Sequence, residues 1–312
     1  MGRSSIKGLH HVTAICGDPR ANHRFYTGVL GLRMVKRTVN FDDPGTYHLY
    51  YGDGAGSPGT IMTFFPWMGM PGGRPGTGQA VSTAFRTGDS SLGWWKRRLE
   101  ENKVAVRGPM RRFDESYLEF RDPDGLALEI VAAPGAPQAA VEWAKSPVPP
   151  EHALRGFHTV TLSEAAHEPT GTLVSAQMGY QPLGREDGRL RYQAPGSAGA
   201  ALLDIMEKPG GLPGLQGTGT VHHIAFRVDD DTAQLGWRER LLRHGLGVSP
   251  VMDRSYFHSI YYREPGGVLF EIATDNPGFA TDEPAESLGE KLMLPAQYES
   301  QRAQIARALP PL

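Results

Sequence analysis

Two heptapeptides decide the fold: 9-LHHVTAI-15 and 221-VHHIAFR-227. In each, apolar positions rich in Val, Ile and Phe alternate with other residues, the pattern of a strand with one face in a core. The same opening recurs in more divergent form at 80-AVSTAFR-86 and 156-GFHTVTL-162. Downstream of each stands a second apolar strand: 59-GTIMTFF-65, 125-GLALEIV-131, 200-AALLDIM-206 and 267-GVLFEIA-273. The separations are regular: 52 residues from His11 to Thr63, 47 from Ser82 to Glu129, 46 from His158 to Asp204 and 48 from His223 to Glu271. An interval repeated four times marks internal duplication.

Between the paired strands the pattern predicts helices over 20–30, 91–101 and 232–244, the first and last closed by Gly31 and Gly245. The third copy is the most degraded, with Pro169 and Gly171 inside its expected helix. Pro and Gly at 122–125 and 264–267 supply tight turns before two of the closing strands. Each unit therefore reads strand, helix, three strands. Such a unit cannot bury both faces of its own sheet, so four of them pair into curved mixed sheets: an α+β chain of four βαβββ modules in two domains. Modules 1 and 2 fall in 1–140 and modules 3 and 4 in 151–284. A linker over 133–154 (Pro134, Pro137, Pro147, Pro149, Pro150) joins them. Residues 285–312 leave the repeat and read as a helical tail interrupted by Pro295. A length of 312 residues suits two domains.

Lys+Arg 32 against Asp+Glu 34 leaves a net charge of -2, which argues against nucleic acid or an anionic membrane as partner. The single cysteine, Cys16, excludes an internal disulfide and points to a reducing compartment. No apolar run is long enough to span a bilayer and the N-terminus has no apolar signal core, so a soluble cytoplasmic protein is expected. A homo-oligomer is compatible with this composition.

Strand alternation sorts the chemistry. Ile224, Phe226 and Val228 share one face and His223 the other; Phe270 and Ile272 flank Glu271 in the same way. His11 and Thr13 share a face opposite Val12 and Ala14, and by this rule His10 and His222 point away from the ionisable side. A lone strand histidine is usually a satisfied structural residue. A carboxylate between Phe270 and Ile272 needs a partner, however, and imidazoles recur at matching positions. Two ligand sets remain open on spacing alone: His11, His223 and Glu271, or His158, His223 and Glu271. Two imidazoles and a carboxylate suit Fe(II) with open coordination positions, with Mn(II) as a substitute; the lack of thiolates disfavours zinc.

The segments 10-HHVTAICGDP-19, 25-FYTGVLGLRMVKRTVNFDDPGTYHLYYGD-53, 60-TIMTFFPW-67, 222-HHIAFRV-228, 254-RSYFHSIYYREPGGVLFEIATDNPGF-279 and 288-LGEKLMLP-295 carry a resemblance. The chain resembles the vicinal oxygen chelate superfamily of glyoxalases, bleomycin-resistance proteins and extradiol dioxygenases. Over essentially its whole length it is most similar to hydroquinone ring-cleaving dioxygenases of the 2,6-dichlorohydroquinone 1,2-dioxygenase type. The resemblance implies paired βαβββ units and a first ligand from module 1, hence His11, His223 and Glu271 around Fe(II). It leaves His158 at an equivalent second cavity with Glu129 and Asp204. It implies O2-dependent opening of a small aromatic ring beside a hydroxylated carbon, with Tyr261, Arg254, His222, His10 and Thr13 around the metal. Tyr261 or His222 would move the proton, Arg254 would offset negative charge, and Thr13 would bond a ligand or substrate oxygen. His48, His258 and Tyr262 are weaker candidates, and Trp67, Phe64 and Phe65 a candidate apolar wall. The alternatives are a glyoxalase-like isomerase or lyase, which needs a carboxylate where Thr63 stands, and a metal-free binding or resistance protein, which dispenses with the ligands.

Overall fold

The computed structural model describes residues 5–133, 140–195 and 200–312. Module 1 comprises β1 (Leu9–Cys16), α1 (Pro19–His23) running into a π-helical turn (Arg24–Val29), β2 (Arg33–Asn40), β3 (Asp43–Gly52) and β4 (Ile61–Pro66). Module 2 comprises β5 (Gln79–Thr87), α2 (Leu92–Glu101), β6 (Val106–Arg112), β7 (Glu115–Arg121) and β8 (Ala127–Ala132). Module 3 comprises β9 (Phe157–Glu164), α3 (Glu168–Thr172) with its own π-turn (Leu173–Gln177), β10 (Gln181–Glu186), β11 (Arg189–Gln193) and β12 (Leu202–Glu207). Module 4 comprises β13 (Thr220–Val228), α4 (Asp231–Arg243), β14 (Met252–Asp253), β15 (Phe257–Arg263) and β16 (Leu269–Pro277). Pro169 does not abolish the third helix, because it sits in the first turn, where a missing N–H costs nothing.

In every module the opening strand lies parallel to the closing one, β1 to β4, β5 to β8, β9 to β12 and β13 to β16. The helix is the crossover that parallel neighbours require. Modules then join through antiparallel opening strands, β1 with β13 and β5 with β9. The result is two curved eight-stranded mixed sheets, ordered β14-β15-β16-β13-β1-β4-β3-β2 and β10-β11-β12-β9-β5-β8-β7-β6. The first sheet thus unites modules 1 and 4 and the second modules 2 and 3. The sequence halves 1–140 and 151–284 each give one module to each sheet, so neither closes a sheet of its own.

The main core lies on the face carrying Val12, Ala14, Ile224, Phe226, Phe270 and Ile272, as alternation requires. A smaller cluster of Val35, Tyr50, Ile61, Tyr256, Phe257, Phe279 and Leu288 fills part of the opposite, concave face of the first sheet. The tail is helical in pieces: Ala285–Ser287 and Ala296–Gln301 are 3-10 turns and α5 (Arg302–Ala308) is α-helical, while the stretch 288–295, ending at Pro295, is non-helical. It lies along edge strand β2, where Met293 N–H donates to the Arg37 carbonyl (2.9 Å) and Arg33 and Arg37 donate to carbonyls of Glu286 and Glu290 (2.9 Å each). Lys36, fully buried, is neutralised there by Asp282 and Glu283. The tail therefore covers backbone that an edge strand would leave open. Of the linker, Pro134 and Pro137 lie outside the described residues, and the part after 140 is fixed on module 1 by Gly54 N–H to the Val141 carbonyl (2.7 Å). Among the described residues no helix is long and apolar enough to cross a membrane.

Candidate metal centre

His11 on β1, His223 on β13 and Glu271 on β16 meet on the concave face of the first sheet, all at most 4% exposed. Glu271 Oε2 lies 2.9 Å from His223 Nε2 and 3.3 Å from His11 Nε2, and the two nitrogens are 3.4 Å apart. Oε1 accepts from the Ser259 hydroxyl on β15. Oε2 is fully buried and receives no hydrogen bond, although two imidazole nitrogens face it. Three donor atoms thus converge on one point with a carboxylate oxygen left unsatisfied. A cation at that point removes the cost of burying it. The donor set fits a divalent metal with positions left for other ligands. Burial pushes the Glu271 carboxyl up, but His11 and His223 more than offset this and hold it well below the usual carboxylate range. Burial pulls His223 down.

Strict alternation put His10 and His222 on the far side of the sheet, and the structure corrects this. Between β1 and β13 the register slips at two points: Leu9 and His11 oppose Phe226 and Ala225, while Thr13 and Ala14 oppose His223 and Val221. The extra residues are His10 and His222, each a β-bulge, which re-aims a side chain that alternation would send away. His10 Nδ1 lies 2.9 Å from His11 Nδ1, and His222 Nδ1 lies 2.8 Å from His223 Nδ1. A neutral imidazole whose Nε2 is a lone pair carries its hydrogen on Nδ1. In each pair the inner ring therefore donates and the outer ring accepts. Burial and the adjoining imidazole pull His10 well below the ordinary histidine value and His222 down to about 3, so both outer rings stay neutral acceptors.

Above the three ligands is a cavity of about 240 Å³. On one side Tyr261 and Arg254 face it: Arg254 Nε donates to the Tyr261 oxygen (3.1 Å) and Arg254 Nη2 reaches Asp42 on the β2–β3 turn (3.3 Å). Burial and the Glu271 charge push the Tyr261 phenol up, so it keeps its proton at neutral pH. On the other side stand His48, Tyr50, Phe65 and Trp67, the last two stacked at 5.4 Å. Phe257 packs against His11 at 4.9 Å.

Of the expected site residues, His222, Arg254 and Tyr261 line this cavity together with the ligands His11 and His223. His10 does not; it is buried behind His11 against Phe257 (5.1 Å). Thr13 lies in the layer beneath, its hydroxyl 2.8 Å from that of Thr63. His258 pairs with Asp231 outside the site, Tyr262 donates to the Met178 sulfur in the core, and Phe64 is core as well. Ser259, Tyr50 and Phe257 were not picked out from sequence. Alternation carried a usable signal for two of them, since Ser259 shares a face with Tyr261 and Tyr50 with His48.

The expected second cavity of His158, Glu129 and Asp204 is also corrected. The register aligns the sheets residue by residue: the bulge at His10 recurs at His158, so Thr159 occupies the position of His11 and Ser82 that of His223. Only Glu129, opposite Ala84 as Glu271 is opposite Ala225, retains a ligand type. It is held by Arg112 through both oxygens (3.2 and 2.5 Å). Asp204 is paired with Arg191 (2.8 Å) and Arg189 (3.2 Å), and His158 with Glu115 (2.8 Å). Ion pairs fill the space where the first sheet keeps a hole. Among the described residues the one other converging His/acid group is His167, Glu168 and Glu207, a half-exposed surface set shared with Arg185.

The model of the Glyoxalase/Bleomycin resistance protein/Dioxygenase superfamily matches residues 8–130 and again 131–272, once per sequence half. The chain belongs to this superfamily. Within it, the chain is 49% identical over 304 residues (97% of this chain, 96% of the relative) to MhqO of Bacillus subtilis (strain 168), which is named as a candidate ring-cleaving dioxygenase. It is 35% identical to a protein of Sphingobium indicum named chlorohydroquinone/hydroquinone 1,2-dioxygenase, covering 97% of this chain and 96% of that one. The crystal structure of a candidate dioxygenase from Bacillus subtilis superposes with a TM-score of 0.95 at 47% identity, covering 99% of this chain and 98% of that one. Glyoxalase I from Zea mays shares the superfamily fold (TM-score 0.64, 13% identity, covering 86% and 92%).

Proposed function

We propose that the chain is an Fe(II)-dependent ring-cleaving dioxygenase acting with O2 on hydroquinone-type aromatics. The observation that carries this reading is the buried, unsatisfied Glu271 Oε2 facing His11 and His223 beneath an aromatic-walled cavity. Names given to full-length relatives at 49% and 35% identity support the reaction class. His11, His223 and Glu271 would hold the metal, which when bound supplies a Lewis acid and a one-electron donor able to bring a phenolate and O2 together.

The remaining work falls to the chain. Phe65, Trp67 and Phe257 give the cavity apolar walls that take a planar ring and exclude water. Arg254 offsets the charge of a phenolate oxygen, and Tyr261, neutral and adjacent, donates a hydrogen bond to that oxygen and can release its own proton to the anion that develops as the ring opens. His10 and His222 fix the orientation of the ligand imidazoles. A glyoxalase-like isomerisation needs a carboxylate at Thr63, and that hydroxyl is committed to Thr13 and His48 (2.8 and 2.9 Å).

The test is anaerobic loading with Fe(II), then O2 consumption with hydroquinone, its methyl and chloro derivatives, and catechol. Stoichiometric O2 uptake with an opened-ring product is expected for a hydroquinone. No uptake with any of them removes the reading, and bound nickel or zinc with isomerase activity would replace it.

A further inference from the structure

The two sheets of this chain are a controlled comparison at equivalent positions. On β4 and β12, Thr63 corresponds to Asp204; on β3 and β11, Tyr50 opposite Thr63 corresponds to Arg191 opposite Asp204, and His48 to Arg189. In the second sheet these positions are ionic and close the space. In the first they are neutral, and Tyr50 and His48 line an open cavity. Tyr50 Oη lies 2.8 Å from His48 Nδ1, His48 Nε2 lies 2.9 Å from Thr63 Oγ1, and Thr63 Oγ1 lies 2.8 Å from Thr13 Oγ1. The His48 ring is further clamped between Tyr50 (4.1 Å) and Phe65 (4.4 Å). Every member of this chain both donates and accepts, so it can face a hydroxyl or a carbonyl oxygen by reversing its hydrogens. With both His48 nitrogens engaged, the spare hydrogen-bonding capacity sits on the Tyr50 hydroxyl.

β3 stands two strands from β1, about 10 Å at ordinary sheet spacing. Tyr50 and His48 therefore meet the end of a single ring that points away from the ligand atoms. An ortho hydroxyl, beside the metal-bound oxygen, would stay at the ligands instead.

We infer that Tyr50, oriented by His48, is a specificity-determining residue that binds the second hydroxyl of a para-dihydroxylated ring. The inference rests on the ring-cleavage reading above and assigns to Tyr50 its selection of para over ortho diols.

Equilibrium binding of phenol, hydroquinone and catechol to the anaerobic Fe(II)-loaded protein tests it without turnover. Hydroquinone should bind at least about tenfold tighter than phenol, as expected when one buried hydroxyl finds its partner. Tyr50→Phe, which removes one oxygen and keeps the ring, should erase that advantage and leave phenol affinity unchanged. His48→Gln should reduce it, with an unchanged melting temperature excluding general damage. Equal weakening of phenol and hydroquinone, or an undiminished hydroquinone preference in Tyr50→Phe, overturns the inference while leaving the dioxygenase reading intact. Failure of the wild type to bind any of the three phenols removes both.

Discussion

Replacing Glu129 by Gln tests whether the second sheet is held shut by charge. Glu129 and Arg112 are only 7% and 8% exposed at their side chains and meet through two contacts of 3.2 and 2.5 Å. Removing the carboxylate charge strands a buried guanidinium whose remaining direct support is the Tyr117 ring at 4.4 Å. Breaking one side of such a pair costs about 3–5 kcal/mol. Spread over the unfolding entropy of a chain this long, that is a fall in melting temperature of roughly 4–8 °C if the chain unfolds as one unit. Calorimetry and urea titration of the metal-loaded protein read it directly. Iron retention and turnover per folded molecule should not change, because the pair lies in the sheet that lacks the ligands. The double variant Arg112→Met/Glu129→Met should recover most of the loss. An unaltered melting temperature in Glu129→Gln, or loss of iron with stability intact, refutes the view that this sheet is a structural counterpart to the metal-bearing one.

Other expectations follow from the same geometry. His223→Ala should abolish iron retention, read by metal analysis after gel filtration; normal retention refutes the ligand assignment. His10→Ala and His222→Ala keep all three ligands but lose an acceptor, so iron affinity measured by chelator competition should drop about 10–100-fold. Tyr261→Phe should lower kcat by about 10²–10⁴-fold with hydroquinone affinity nearly unchanged, and wild-type turnover would remove Tyr261 as the proton donor. Glu164 is solvent-inaccessible with both oxygens unpartnered, and burial beside Glu264 pushes its carboxyl up to about 8. Its native state holds a proton that the unfolded chain releases near the ordinary value, so its stabilising protonation is intact at low pH and lost as pH rises towards 8. Glu164→Gln should remove that decline, and identical melting-temperature profiles for wild type and variant between pH 5 and 8 would contradict it.

The repeat and the four opening and closing strands were readable from alternation and spacing, which are properties of the chain itself; spacing left His11 and His158 both open as the first imidazole, and the convergence of module 1 with module 4 followed only from the family resemblance. Two features were not. A bulge inserts one residue without a compositional mark, so the orientations of His10 and His222 could not follow from a period of two. The same one-residue slip made His158 look equivalent to His11 when it matches His10. Nor does sequence say that Glu129 and Asp204 are consumed by arginines, since Arg112, Arg189 and Arg191 sit on other strands and reach them only through cross-strand pairing.

The pairing of β1 with β13 also sets a timetable for biosynthesis. About two hundred residues separate the end of β1 at Cys16 from the start of β13 at Thr220. At roughly 5–20 residues per second the ribosome needs about 10–40 s to supply the missing neighbour. During that interval the nascent first module holds His11 on a strand with one bare edge, so it can neither assemble the three-ligand set nor shield itself from pairing with another chain. On the proposed ligand assignment, a metal can be held only after β16 has been made as well.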